Sequence, residues 1–367
     1  MQDADFMGKA LELAKNALGR TSPNPLVGAV IVKDGRIVAS GWHRKAGTPH
    51  AEIHALNMAG ELAKGATLYV TLEPCAHYGR TGPCAKAVIE AGIRRVVIAM
   101  RDPNPLVAGK GIAMLEEAGM EVVCGIMEAE ARKLNEVFLK WISTKKPFVA
   151  LKTAMTLDGK IATVAGKSQW ITNEASRHLV HEWRDIYDGI LVGINTVLKD
   201  DPSLTTRLPD RKGRNPVRII VDSRGRTPLD SRVVRDGQAK TLIAVTSGAP
   251  RENLEALRAA GVEILVAGDG PQVDLQELMG QLGERDICSL FVEGGAAVNF
   301  SFLREGLVDK VYAFVAPKIV GGREALTPVG GEGFAELSEA VELEGLSVES
   351  LEGDVLISGY VKGQTVR

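Results

Sequence analysis

The chain has 367 residues, 45% hydrophobic and 25% charged, with a formal net charge of -2 and a pI near 6.4. That length exceeds what one hydrophobic core serves, so two domains are the default, and the composition is that of an ordinary soluble globular protein. The near-neutral balance argues against a nucleic-acid-binding surface, and no apolar run is long enough to span a bilayer.

Residues 1–20 form a charged amphipathic helix without the apolar core of a signal peptide, so no export or membrane anchoring is expected. The run VGAVIVKDGRIVASGW from Val27 predicts a hairpin turning at Lys33-Asp34-Gly35. Thr48 is placed as an N-cap and Pro49 as the first residue of a helix continuing through the apolar stretch 53–58. Buried-strand runs at 67–72 and 95–100 alternate with helices, and a helix over 134–140 closes a first strand-and-helix unit. The polar Thr144-Lys145-Lys146-Pro147 marks a boundary, which gives domains 1–145 and 146–367. The second unit is predicted to carry strands at 148–155, 189–193, 217–222, 241–246, 262–267, 288–293 and 310–316, with an amphipathic helix over 173–186 capped by Thr172.

His50-Ala51-Glu52, Pro74-Cys75 and Cys84 carry the chemistry. One imidazole and two thiolates hold a zinc ion and leave a fourth position open for water, while a carboxylate near the His shuttles protons. In a helix, residues i and i+2 point roughly 200° apart, so His50 and Glu52 reach one ion only at a helix start. Pro74 before Cys75 and Gly82-Pro83 before Cys84 place both thiols near helix N-termini, where the backbone dipole favours thiolate. A closed structural zinc site is the competing reading. It requires a fourth ligand such as His54 or His77 and leaves Glu52 without a purpose. Cys124 and Cys288 stand alone, which suits a reducing cytoplasm.

The zinc motif, the segment Thr21-Ser22-Pro23-Asn24-Pro25-Leu26-Val27-Gly28 and the insert Ala76-His77-Tyr78-Gly79-Arg80-Thr81-Gly82-Pro83 resemble the bifunctional deaminase/reductase family of riboflavin biosynthesis. So do Lys152-Thr153-Ala154-Met155-Thr156-Leu157-Asp158-Gly159-Lys160 and Val292-Glu293-Gly294-Gly295 in the second half. Eight residues separate Cys75 from Cys84, as in that family; cytidine and transfer-RNA adenosine deaminases usually have two. The resemblance implies an α/β chain with a cytidine-deaminase-like three-layer α/β/α domain followed by a dihydrofolate-reductase-like α/β domain. It implies zinc on His50, Cys75 and Cys84, proton transfer by Glu52, and a pyrimidine ribosylamine 5′-phosphate read by Asn24, His43, His77 and Arg80.

For the second half the resemblance implies hydride transfer from NADPH. The implied cofactor positions are Ala154, Trp170, Thr196, Asp200, Ser223 and the run Gly295, Ala296, Ala297, Val298, Asn299, Phe300 and Ser301. The implied substrate positions are Lys152, Ser168, Arg184, Asp200, Leu204, Arg207 and Glu293, and family members are homo-oligomers. Read from the residues alone, Glu293-Gly294-Gly295 after an apolar strand places backbone amides at a helix N-terminus that suits a pyrophosphate, but it is not the six-residue Rossmann fingerprint. Arg184 and Arg207 offer guanidinium forks for a 5′-phosphate. At Asp222-Ser223-Arg224-Gly225-Arg226 the carboxylate suits a free ribose 2′-hydroxyl, whereas the arginines suit a 2′-phosphate. The proton donor of the reduction stays open among Lys152, Asp200 and water. His178 and His181 are read as a solvated helix face, and 211–214 as a flexible loop. A nucleic-acid deaminase explains only the zinc motif, and a zinc-stabilised binding module explains neither Glu52 nor the second half.

Overall fold

In the computed structural model of the chain, Asp34 and Gly35 both take positive φ, 50° and 73°. A two-residue hairpin turn requires that pair, and it folds β1 (Gly28–Lys33) back on β2 (Arg36–Trp42). The structure describes residues 2–76, 82–104 and 107–364. It divides into two compact units, Met1–Lys145 and Lys146–Arg367.

In the first unit, β3 (Thr67–Val70), β4 (Arg95–Ile98) and β5 (Glu121–Cys124) complete a sheet of order β2-β1-β3-β4-β5, with β3, β4 and β5 parallel. Two glycines show why it has helices on both faces. A Cβ on Gly28 would collide with the Ala10 carbonyl of helix Asp3–Lys15, and one on Gly41 would sit 2.6 Å from the Ala51 carbonyl of helix Ala51–Ala59. Gly41 pairs with Ala29, the neighbour of Gly28. Successive residues point to opposite faces and paired residues to the same one, so the two helices lie on opposite sides, giving three layers.

The helix predicted from Thr48 begins later. His50 is its N-cap, in extended conformation, and the Thr48 hydroxyl donates to the Lys45 carbonyl instead. β5, short and only half-buried, has no apolar alternation strong enough to be read from the sequence. Glu73, just beyond β3 and 3% exposed, clamps a distant segment: its carboxylate accepts from the amides of Asp102 (3.3 Å), Gly109 (3.0 Å), Gly111 (2.9 Å) and Ile112 (3.2 Å). Three of these donors open helix Lys110–Glu117, whose cap Gly109 has no side chain to serve them. The carboxylate therefore acts as a cap delivered from elsewhere in the chain. Gly111 lies so close that a Cβ there would run into the Pro74 carbonyl.

The second unit holds β6 (Phe148–Thr156), β7 (Gly189–Gly193), β8 (Val217–Val221), β9 (Thr241–Val245), β10 (Glu263–Val266), β11 (Ser289–Gly294), β12 (Lys310–Ala316), β13 (Leu343–Leu351) and β14 (Asp354–Val361). The sheet order is β10-β9-β8-β7-β11-β6-β12-β14-β13, parallel except for the terminal hairpin. Alternate residues feed two separate cores: Leu191, Ile219 and Leu242 go to one, Ile190, Ile220 and Ile243 to the other. Continuous apolar runs are what a parallel sheet covered on both faces requires. β13 and β14 were not among the predicted strands, because β13 is an exposed edge with alternating polar residues.

Helix Glu174–Ile186 is capped by Asn173, whose side chain accepts from the Ser176 amide; the expected Thr172 is buried one position earlier. The segment 211–214 is not a loose loop. Arg211 and Arg214 bind Asp185, and Arg214 also reaches Asp188 and the carbonyls of Ile186 and Tyr187.

Each unit has its own core, so a fragment of residues 1–145 should unfold in one cooperative transition, followed by circular dichroism in urea; a broad, non-cooperative loss of signal would show that the fragment lacks a core of its own. In that fragment Glu73→Gln replaces one acceptor oxygen by a donor facing buried amides, and should lower the unfolding free energy by about 1–3 kcal/mol. An unchanged midpoint and slope would mean the clamp contributes nothing.

Candidate active sites

The first site forms where extended chain turns into helix. As N-cap of helix Ala51–Ala59, His50 has φ -72° and ψ 167°, which swings its ring away from the helix axis and toward the thiols while Glu52 stays in the first turn. This resolves the i, i+2 geometry anticipated from the sequence. Cys84 is the first residue of helix Cys84–Glu90. Cys75 is on no helix, but its sulfur accepts from the Cys84 amide at 3.3 Å and its carbonyl from the Ala85 amide, so it sits at the mouth of that helix. His50 Nδ1 is 3.2 Å from Cys84 Sγ and 3.7 Å from Cys75 Sγ, and the three ligand atoms lie within 4.8 Å of one another. Among the described residues this group has three members, and His54 is not one of them.

The donor set suits zinc. The Cys84 thiol, by hydrogen-bonding Cys75, draws Cys75 down to about 4 against the effect of burial, with His50 reinforcing it, and the same contact pushes Cys84 up. By itself the trio holds one thiolate. A dication stabilises both, and three N/S ligands with an open position are the catalytic zinc arrangement. Glu52 is 3% exposed, burial raises its carboxyl, and among the described residues its Oε2 has no hydrogen-bond partner. That oxygen is available to a ligand.

Asn24, His43, His50, Glu52 and Cys75 line one cavity of about 320 Å³. His43 Nδ1 lies 3.2 Å from the Pro49 carbonyl, which can only accept, so the proton is on Nδ1 and Nε2 accepts from the Asn24 amide at 3.1 Å. Both ring nitrogens are engaged and the residue is 2% exposed. His43 therefore sets Asn24 rather than presenting a free nitrogen to the cavity. His77 and Arg80 lie outside the described residues. The sequence reading missed Asp102 and Asn104, which line the cavity from the segment that Glu73 clamps. It also missed Asn135, whose amide pairs both ways with the Leu26 backbone and braces the Asn24 segment. Only the Glu-Pro-Cys triplet around Glu73 could have hinted at the clamp.

The second site lies at the carboxyl ends of β6, β7 and β11. The β7/β11 ladder slips between Val292 and Gly294, leaving Glu293 as the extra residue of a bulge, which re-aims its side chain. Gly294 and Gly295 follow with φ 58° and 104°, and a Cβ on Gly294 would collide with the Asn299 side chain. Helix Ala296–Arg304 then starts with exposed amides. Lys152, Ala154, Ser168, Trp170, Arg184, Thr196, Asp200, Arg207, Glu293, Gly295, Ala296 and Asn299 line one cavity of about 780 Å³. Leu204 lines an adjoining hollow that shares Arg184, Arg207 and Glu293.

The other predicted positions are not in these hollows. Phe300 is buried, 5.4 Å from the Phe334 ring, Val298 packs on the core, and Ser301 donates to the Ala297 carbonyl. Ser223, beyond the end of β8, accepts from the Val273 amide. Beside it, Asp222 is fully buried and accepts from the Thr227 amide and hydroxyl, while Arg224 and Arg226 are exposed.

Arg184 does not present a free fork. It grips Glu293 through two bonds of 2.6 and 2.9 Å and donates to the Thr205 carbonyl. Burial pushes the Glu293 carboxyl up, but Arg184 outweighs it and holds it at about 2. Lys152 is lowered by burial, with Glu293 opposing. The Arg207 guanidinium donates to the Thr205 hydroxyl through one Nη, and the residue is exposed and lines the cavity. Trp170 is fixed by Lys318, which donates to the carbonyls of Trp170 and Ile171 at 2.7 Å each, and by Arg177 over its ring at 4.6 Å.

Two family models match: the cytidine and deoxycytidylate deaminase zinc-binding region over residues 1–100, and the RibD C-terminal domain over residues 147–357. The riboflavin biosynthesis protein RibD of Actinobacillus pleuropneumoniae is 48% identical over 98% of this chain and 96% of that protein, and that of Bacillus amyloliquefaciens is 45% identical over 97% and 96%. Among solved structures, Acinetobacter baumannii RibD superposes with a TM-score of 0.88 at 41% identity. A diaminohydroxyphosphoribosylaminopyrimidine deaminase/5-amino-6-(5-phosphoribosylamino)uracil reductase from Thermotoga maritima gives 0.87 at 42%, each covering 98% of both chains. With both halves matched in order along nearly its whole length, the chain belongs to the RibD family of riboflavin biosynthesis, in which one polypeptide carries a deaminase and a reductase.

Proposed function

We propose that the two sites act in succession on one small molecule, 2,5-diamino-6-ribosylamino-4(3H)-pyrimidinone 5′-phosphate, first deaminating the ring and then reducing the ribosyl group to ribityl. The observation that carries this reading is the buried Glu52 oxygen, unpartnered among the described residues, beside the His50, Cys75 and Cys84 group. Zinc held by those three residues supplies an activated water. Glu52 takes one proton from the water and delivers it to the ring nitrogen, then carries the remaining hydroxyl proton to the amine, so that the C–N bond breaks and water and the amine become carbonyl and ammonia. Asn24, fixed by His43, orients the pyrimidine edge.

NADPH supplies the hydride of the second step. Gly295 and the first amides of helix Ala296–Arg304 would hold its pyrophosphate, with Ala297, Val298, Phe300 and Ser301 contributing backbone and packing rather than side-chain contacts. Ser168, Leu204 and the Arg184–Glu293 pair shape the sugar's seat, and Arg207, with donors to spare, takes the 5′-phosphate. The ribose ring opens first, the C1′–O4′ bond breaking as the glycosylamine N–H proton moves to O4′; the resulting C1′=N imine would then take hydride at carbon and a proton at nitrogen. Lys152, lowered by burial, is suited to give that proton. The inward-turned Asp222 favours a cofactor bearing a 2′-phosphate, read by Ser223, Arg224 and Arg226.

The protein is read as cytoplasmic, supported by four cysteines that form no disulfide, and among the described residues no helix is long and apolar enough to cross a membrane. It is read as a homo-oligomer, supported by Leu346 and Val348, 62% and 68% exposed on the edge strand β13.

Glu52→Gln should keep its zinc, measured by metal analysis, and lose deamination by about 10²–10⁴-fold. Loss of zinc with activity would make Glu52 a metal-site residue instead of a proton carrier. NADPH should be preferred over NADH in kcat/KM by at least about tenfold, and the preference should shrink in an Arg224→Ala/Arg226→Ala double variant, since a charge-assisted bond contributes roughly 1.5–3 kcal/mol. Equal use of both cofactors by the unaltered protein contradicts the phosphate reading.

A further inference from the structure

His181 lies one turn before Arg184 on helix Glu174–Ile186, and its ring lines the larger cavity. It is not part of a solvated face. His178 has that role, paired with Glu182 at 3.5 Å. The backbone amide of Arg207 donates to His181 Nδ1 at 3.3 Å. An amide can only donate, so Nδ1 carries no proton and the ring's single N–H is on Nε2. Burial, then Arg184 and Arg207, depress its protonation to about 4, so the ring stays neutral near neutral pH.

The segment that His181 holds is the one that carries Arg207. Leu204 has φ 50°, a left-handed turn. Next to it the Thr205 carbonyl is tied to Arg184 and its hydroxyl to Arg207, and Thr206 is tied to Asn215 and the Arg214 carbonyl. The Arg207 amide, the last link before the guanidinium, ends on His181.

We propose that His181 is a specificity-determining residue for the sugar phosphate: Nδ1 anchors the Arg207 backbone, so that its guanidinium meets a phosphate monoester, and the Nε2–H faces the same cavity as a second, uncharged donor to that anion. The inference rests on the reading of this cavity as the reductase site.

Steady-state reductase kinetics on the full chain test it, with the deaminated pyrimidine ribosylamine phosphate as substrate and inorganic phosphate as competing probe. His181→Leu should raise the KM for the substrate and the inhibition constant of phosphate about tenfold, while kcat and the KM for NADPH change less than about threefold. Deamination by the same sample reports on the rest of the polypeptide and should not change. His181→Asn, whose amide oxygen can accept from the Arg207 amide, should recover part of the loss. A fall in kcat at constant KM, or parallel losses for substrate and NADPH that Asn does not relieve, overturns the assignment. Unchanged substrate KM and phosphate inhibition overturn it too. If the unaltered protein shows no NADPH-dependent reduction, the reading of the cavity fails, and with it this inference.

Discussion

The first turn of a helix leaves its amides without partners, and both sites are built on that constraint. In the first unit the Cys84 amide points at the Cys75 sulfur, and His50 stands at the cap of the neighbouring helix. In the second, two glycines with positive φ bring the chain into helix Ala296–Arg304 with its leading amides uncovered. Anionic partners satisfy such amides: the Cys75 sulfur in the first unit, and in the second, on the function proposed above, a cofactor phosphate. Where no ligand belongs, the fold supplies its own anion. Glu73 serves helix Lys110–Glu117 in that way, and so joins the Cys75 turn to the segment bearing Asp102 and Asn104.

The second constraint is charge taken out of water. Glu293 and Arg184 are 10% and 12% exposed, and a pair so placed holds only if its geometry is good and its other donors are satisfied. The bidentate grip and the bond from Arg184 to the Thr205 carbonyl meet that requirement. The consequence is a division of labour among arginines. The buried one orients a carboxylate, and the exposed Arg207, with one Nη on the Thr205 hydroxyl, lines the cavity.

The grouping of His50, Cys75 and Cys84 was legible because their spacing and flanking prolines are local features, and the apolar runs gave most strands to within a residue or two. What was not legible depends on contacts between distant positions. His50 was placed inside the helix, whereas the structure uses it as the cap, and Asn173 displaced Thr172 because its side chain reaches the Ser176 amide. Arg184 looked like a phosphate clamp until its partner 109 residues away was seen. The run 211–214 looked loose because Asp185 and Asp188, which bind it, lie on another element. The strand pair β13 and β14 was missed for want of an apolar face on the edge strand.

Three histidines show how one partner atom decides what a residue type does. His50 faces two sulfurs; the Cys75 sulfur, with Glu52, raises its proton affinity, and the three together form a group that could hold a metal ion. His43 faces a carbonyl, which fixes its proton on Nδ1 and turns Nε2 into an acceptor for Asn24. His181 faces an amide, which fixes the opposite tautomer and turns Nε2 into a donor. Sequence spacing identifies the first, because metal ligation requires several residues in a pattern. The other two depend on one backbone group each, and a carbonyl and an amide leave no trace in the order of side chains. The polarity that each ring offers its cavity is therefore a property of the fold.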